Sequence, residues 1–263
     1  MKRSEKLRIL AVQLDITWHN IDANISELHK IAHGHIGTTD LIVLPEMFTT
    51  GFSMEIEDLA EIPDGDTITK LQQISDDTDI AIMGSYVVNQ HGNIYNREFL
   101  ITPVRIPQYY DKRHLFSMGG EDEVMSAGYV RKTFHLYGWS ILPVVCYDLR
   151  FPVWCRNVNN EYDLMVVVAN WPQSRISAWD ILVKARAIEN LCYVVAVNRI
   201  GVDPHGLVYT GHSDIINAKG ESLLNEQDKN DRLLYAEIEK SSLQKMRSKF
   251  PVWQDADSFK IEL

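Results

Sequence analysis

Residues 139–152 read WSILPVVCYDLRFP, and this stretch decides the fold. An apolar, β-branched run stops on Cys146, then turns at once through Tyr147 and Asp148 toward a helix. A thiol at the end of a buried strand has a rigid backbone beneath it. The N–H of the next residue, Tyr147, points into the same space. That is how a chain presents a nucleophile beside an oxyanion donor.

Working outward, two further apolar runs end on chemistry. Residues 40–48, DLIVLPEMF, place Glu46 after a hydrophobic segment, and residues 108–116, QYYDKRHLF, deliver Lys112. A thiol nucleophile needs a base for its proton, positive charge or N–H groups for the oxyanion, and an acid for the leaving group. A buried carboxyl group suits both the base and the acid roles, and Glu46 is the candidate. Lys112 supplies the charge. The set requires no histidine, unlike Cys-His hydrolases. Three such groups at three strand ends predict one assembled site.

Strand-like runs recur at 8–16, 40–48, 80–88, 97–103, 139–147, 162–171, 192–201, 211–218 and 232–238. Helical periodicity lies between several of them. It marks 20–36 (Ile21, Ile25, Leu28, Ile31), 68–78 (Ile68, Leu71, Ile74) and 177–191, where Ile181, Leu182, Ala185, Ile188 and Leu191 form one stripe. This alternation predicts an α/β layered domain. Continuous apolar strands such as LMVVVAN, mixed with alternating ones near the C-terminus, predict a mixed sheet or two packed sheets with helices outside. No stretch has the composition of a linker, and no period repeats. One domain is expected.

A chain of 263 residues can bury a substantial core. Its net charge of −10 excludes a nucleic-acid surface, which needs clustered Lys and Arg. No run approaches the length that spans a bilayer, so no membrane partner is expected. The basic start, MKRSEKLR, passes directly into a strand without the apolar segment of a signal peptide. Three cysteines (Cys146, Cys155 and Cys192) do not form a disulfide framework. A reducing, cytoplasmic setting is the expectation.

The motifs resemble those of the nitrilase superfamily of carbon–nitrogen hydrolases, whose signature is a Glu-Lys-Cys triad. LPEMF carries Glu46, YDKRHLF carries Lys112 and VVCYDLRFP carries Cys146, in that order. The segments LPEMFTTGFSM, HLFSMGGE, CYDLRFPVWCRN and VANWPQSR look like the omega-amidase branch in its bacterial group. The resemblance runs from Leu7 to the last strand, and MRSKFPVWQDAD resembles the family's C-terminal tail.

This resemblance implies an α/β, nitrilase-type four-layer α-β-β-α sandwich. It implies a single domain over 1–263, with a core at 7–240 and a tail at 241–263. It also implies a homodimer paired through helices, no metal and no organic cofactor. The implied substrate is a small-molecule amide: the terminal amide of a 2-oxo acid such as 2-oxoglutaramate or 2-oxosuccinamate, cleaved through a thioester. The family uses a second glutamate near the site, and counting back from Ser126 favours Glu121 over Glu123.

Other readings stay open. Another branch of the superfamily would turn the same triad on an N-carbamoyl compound, a nitrile or an aliphatic amide, because pocket loops set specificity. A non-enzymatic scaffold of the same fold is the alternative from another class. A 2-oxo acid needs a carboxylate grip, for which Arg175 and the flat wall of Trp171 are candidates, although a surface arginine and a buried tryptophan explain them equally. Asp148 and Arg150 read as specificity residues or as a cap and a salt bridge. Cys155 and Cys192 read as core packing. His205 and His212 lack a third metal ligand at useful spacing, and Gly119–Gly120 lacks a phosphate-binding fingerprint.

Overall fold

The β-branched runs fold as strands, and they do so in two sheets. The structure, a computed structural model, describes residues 2–225, 227 and 231–262; Met1 and Leu263, the ends of the expected domain, lie outside the described residues. The first sheet contains β1 (Lys6–Val12), β2 (Leu41–Val43), β3 (Ala81–Gln90), β4 (Asn93–Ile101) and β5 (Gln108–Asp111). The second contains β6 (Phe134–Leu136), β7 (Trp139–Val145), β8 (Leu164–Ala169) and β9 (Tyr193–Asn198). A hairpin of β10 (Ile200–Val202) and β11 (Val208–Thr210) leads to β12 (Asp214–Ile216), which closes the second sheet. The chain then returns through β13 (Leu233–Glu239) to the edge of the first. The strand orders are β13-β1-β2-β3-β4-β5 and β12-β9-β8-β7-β6.

Both sheets are mixed. β1, β2 and β3 run parallel, as do β7, β8 and β9, while the flanking pairs are antiparallel. The helices cover the outer faces: α1 (Ile21–Gly34) and α2 (Asp66–Thr78) on the first sheet, α5 (Ile176–Asn190) on the second. Short α3 (Glu121–Val124) and α4 (Pro152–Cys155) sit in loops, and α6 (Lys240–Lys249) follows the last strand.

Apolar contacts establish the layer order. Leu28 and Ile31 of α1, with Leu71 and Ile74 of α2, pack on Val12, Ile42 and Ile82. Ile9, Val43 and Met83 of the first sheet meet Val145, Val166 and Val195 of the second. Trp179, Val183 and Ala187 of α5 pack on Val144, Val167 and Val194. The result is a four-layer α-β-β-α sandwich, each fully buried aliphatic side chain contributing about 1.5–3 kcal/mol.

Two features depart from the sequence reading. β2 covers only Leu41–Val43 of the expected 40–48 run, because Pro45 has no N–H to continue a ladder. Glu46 therefore stands in the loop beyond the strand. On α5 the expected apolar stripe is not the packed face: Ile181 is 68% and Ile188 52% exposed. The packed face carries Trp179, Val183, Arg186, Ala187 and Asn190. Arg186 and Asn190 are tolerated there because Arg186 donates to the Leu149 carbonyl and Asn190 to the Arg186 carbonyl. Buried polar groups satisfied by backbone hide an inward face from periodicity.

The loops after β2, β7, β8 and β9 leave the carboxyl ends of parallel strands. β5 runs the same way as β3, so Lys112 emerges at that same end. Carboxyl ends of such sheets are where α/β folds assemble their sites.

Candidate active site

At the end of β7, Cys146 takes φ 45°, a left-handed conformation that a non-glycine residue holds only when its surroundings impose it, at about 1–3 kcal/mol. Asp148 imposes it. Its buried carboxylate accepts from the Val145 N–H at 3.2 Å and the Tyr110 hydroxyl at 2.8 Å. Its other oxygen accepts from the His114 N–H at 2.8 Å and meets His114 Nδ1 at 2.7 Å. Asp148 is thus a brace that ties the thiol turn to the segment after β5.

Glu46, Lys112 and Glu121 meet in the space beside this turn, all fully or almost fully buried. Lys112 Nζ donates to Glu46 Oε1 at 2.8 Å and to Glu121 Oε2 at 2.8 Å. Glu121, in α3, also accepts from the Phe116 N–H at 2.7 Å, whereas Glu123 is exposed. Asn96 Nδ2 bridges the two carboxylates, at 2.8 Å from Glu46 and 3.2 Å from Glu121. Ser85 fixes Asn96 by donating to its Oδ1 at 2.8 Å. From the second sheet, the Asn170 N–H donates to Glu46 Oε2 at 2.9 Å, and Asn170 Nδ2 to the Glu46 carbonyl at 2.6 Å. Behind Lys112, Gly128 donates to the Lys112 carbonyl at 2.8 Å, and a Cβ there would come 2.1 Å from the Asp111 carbonyl oxygen. Only glycine allows that approach.

The charges interlock. Burial alone would lower the Lys112 ammonium, but Glu121 and Glu46 outweigh it and hold its pKa above the ordinary value. Burial lifts the Glu121 carboxyl above its usual range, with Lys112 pulling down and Glu46 adding to the rise. Burial, then the Glu46 carboxylate, push the Cys146 thiol well above its ordinary value, and Lys112 offsets this only in part. The raised value favours the thiol over the thiolate at Cys146, and a thiol attacks only with the help of a base.

A cavity of 460 Å³ opens onto Cys146, Glu46 and Lys112. Its walls include Phe52, Met54, Phe116, Tyr147, Trp171 and, from the β10–β11 hairpin, Tyr209. Tyr147 stands edge-on to Phe116 and Phe151, at 5.2 and 5.1 Å between ring centroids. Trp171 is buried and donates through Nε1 to the Arg175 carbonyl at 2.8 Å. Two exposed arginines line the cavity, each laid over an aromatic ring: Arg175 over Phe116 at 5.1 Å and Arg150 over Trp171 at 4.8 Å. Among the described residues neither has a carboxylate partner.

The structure thus gathers Glu46, Lys112, Cys146, Tyr147, Trp171 and Arg175 around one cavity, with Glu121 buried behind Lys112. Cys155 and Cys192 are buried away from it. Asn96 and Asn170 escaped the sequence reading. Asn170 could have been found, since it ends the apolar run of β8 as Cys146 ends that of β7. Asn96 gives a fainter signal: it begins the polar triplet Asn96, Arg97 and Glu98, in which nothing local marks one residue as part of a site. Among the described residues no cluster of three or more His, Cys, Asp or Glu is arranged to hold a metal.

Fold and site together define a hydrolase of layered α/β architecture built on a buried carboxylate, ammonium and thiol. The chain belongs to the carbon–nitrogen hydrolase family, whose sequence profile matches residues 8–248. It is 40% identical to omega-amidase YafV of Escherichia coli strain K12, over 97% of this chain and 98% of that one. It is 31% identical to the 2-oxoglutaramate amidase of Bacillus subtilis, over 95% and 97% of the two chains. A crystal structure of a superfamily member from Xanthomonas campestris, with an arsenic adduct in its active site, superposes with a TM-score of 0.92. It has 40% identity and covers 98% of this chain and 99% of its own.

Proposed function

We propose that the protein is an omega-amidase: it hydrolyses the terminal amide of small 2-oxo dicarboxylic acid monoamides, such as 2-oxoglutaramate and 2-oxosuccinamate, to the acid and ammonia. The observation that carries this reading is the pair of unpartnered cations, Arg175 and Arg150, on the wall of the cavity that holds Cys146. Arginine grips a carboxylate through parallel N–H donors. A carboxylate held there leaves the amide end to lie over the thiol, with the 2-oxo acid along the face of Trp171. The curated relatives named for this activity support the reading.

The catalytic cycle we infer uses these groups as follows. Glu46 takes the Cys146 proton as sulfur attacks the amide carbon. Lys112 and the Tyr147 N–H stabilise the oxyanion. Glu46, now protonated, gives its proton to the departing nitrogen, and ammonia leaves a thioester. Glu46 then takes a proton from water as its oxygen attacks the thioester; the acid departs and the thiol is restored. Glu121 keeps Lys112 charged and in place. The whole chain acts as one hydrolase domain, core 7–240 and tail 241–263.

The outward-facing Ile181 and Ile188 of α5, with half-buried Leu182 and Ala185 beside them, are read as the face on which a second copy docks to form a homodimer. Ile181→Glu should convert dimer to monomer in sedimentation. A nucleophilic thiol must stay reduced, which favours the cytoplasm.

Ammonia release from purified protein tests the substrate. The panel holds 2-oxoglutaramate, 2-oxosuccinamate, glutamine, asparagine, an N-carbamoyl amino acid and an aliphatic nitrile, with Cys146→Ala as control. Turnover confined to the two oxo-acid amides is expected. Silence on both, with turnover elsewhere, would overturn the substrate and leave the cluster standing.

A further inference from the structure

Among the buried acids that take no part in the cycle, one stands apart. Glu98, in the middle of β4, is 0% exposed and occupies the space between the two sheets. Among the described residues neither of its carboxyl oxygens has a hydrogen-bond partner. Such an orphan is costly, since a buried carboxylate requires donors or a cation. Its neighbours on the same strand show the contrast: two residues back, Asn96 is fully engaged with Ser85, Glu46 and Glu121.

The groups around Glu98 make a charge there still less favourable. Tyr110 lies opposite on β5, with its hydroxyl already committed to Asp148. Asp148 is itself held by His114, Tyr110 and the Val145 N–H, and it acts on Glu98 from the same interior. Glu46, the other acid acting on Glu98, is bound to Lys112, whose ammonium is shared with Glu121. On β3 the paired residue is Ser85, which carries no charge. Burial first, then Asp148, raise the Glu98 carboxyl well above the usual range, and Glu46 adds to the rise. The one influence favouring its anion, the Val144 backbone, falls short of a hydrogen bond to either oxygen.

We propose that Glu98 works as an uncharged positioning residue behind the catalytic cluster, and that its ionisation sets the alkaline limit of both activity and stability. Uncharged, it adds no repulsion against Asp148 and Glu46 at the inter-sheet core. When ionised, it repels the brace that holds the Val145–Cys146 turn and the carboxylate that serves as base. The reaction releases ammonia, a base, so a device that slows the enzyme as pH rises would act in the direction of its own product.

The sign is fixed by linkage. The folded protein keeps the Glu98 proton while the unfolded chain releases it above the ordinary carboxyl range, so this contribution to stability declines as pH rises toward the folded value. Glu98→Gln preserves shape and removes the titration. Its stability advantage over the parent should grow with pH in urea unfolding, a readout that needs no substrate and so holds whichever amide is cleaved. Its kcat at neutral pH should stay within about threefold of the parent, while the alkaline limb of its pH profile moves up by about one unit or more. Difference infrared spectra of the parent should show the carbonyl stretch of a protonated carboxyl at neutral pH, absent from Glu98→Gln. Should that variant fold poorly, Glu98→Leu removes the same charge with an apolar side chain, and the infrared band of the parent is read regardless. Coincident alkaline limbs and coincident pH dependence of stability in parent and neutral variants, or an absent infrared band, would overturn the proposal.

Discussion

Lys112 Nζ and Glu121 Oε2 stand 2.8 Å apart with both side chains shut off from solvent. The same ammonium bonds Glu46 Oε1 at 2.8 Å, so one cation serves two carboxylates of different duty. Glu46 faces the thiol; Glu121 faces only the lysine, Asn96 and the Phe116 backbone. Replacing Glu121 by Ala should lower kcat by about 10²–10³-fold, the range seen when one preorganised electrostatic partner is lost, with KM little changed. Steady-state kinetics check this. A normal kcat would remove Glu121 from the machinery.

Removing the cation should also cost stability. Lys112→Met leaves Glu46 and Glu121 buried without a counter-charge, which destabilises by about 3–5 kcal/mol at neutral pH. The deficit should shrink as pH falls and the Glu121 carboxyl, raised by burial, takes up its proton. Urea unfolding at two pH values reads both effects.

The Cys146 thiol, raised by burial and Glu46, should be alkylated at a rate that keeps climbing with pH beyond its ordinary value of 9.0. Burial pushes Cys155 to about 12, so that thiol should remain unmodified under the same conditions. Because the folded value of Cys146 is raised, its contribution to stability is complete below the ordinary thiol value and is lost as pH rises through the folded one. Cys146→Ala should therefore lose less stability than the parent in strong alkali. Peptide mapping after iodoacetamide treatment, with unfolding at high pH, tests the pair.

Asp40 behaves oppositely. Burial would raise it, but Arg8 and Arg3 bonds win, and its carboxyl lies below the ordinary 3.8. That stability is present above the unfolded value and disappears as pH falls through the folded one. Asp40→Asn should lower Tm at neutral pH, and the gap should close in acid. A gap independent of pH would show that the ion pairs contribute nothing.

Much of this was legible because each of Glu46, Lys112 and Cys146 follows an apolar or aromatic run, where a polar residue with chemistry stands out. Layer order was legible for the same reason: buried parallel strands such as β8 read as unbroken apolar runs. What stayed hidden was polar and interior. Ser85 interrupts an apolar strand singly, while Asn96 and Glu98 flank Arg97 in a polar triplet, and only their folded neighbours reveal what each meets. On α5 the buried Arg186 and Asn190 concealed the packed face, while Ile181 and Ile188 imitated it. Short β6, β10 and β11 span three residues each, too few to establish a period. Arg150 remained ambiguous in sequence because nothing local distinguishes a cation paired with Asp148 from one laid on Trp171.

The central claim is that Cys146 carries the acyl group between ammonia release and hydrolysis. Rapid acid quench of enzyme mixed with excess 2-oxoglutaramate, followed by intact-mass and peptide analysis, tests it directly. The account predicts a transient adduct of the acyl group on Cys146, formed with the first ammonia released and absent from Cys146→Ala. Turnover without such an adduct, or ammonia release by Cys146→Ala at a rate near the parent's, would contradict it.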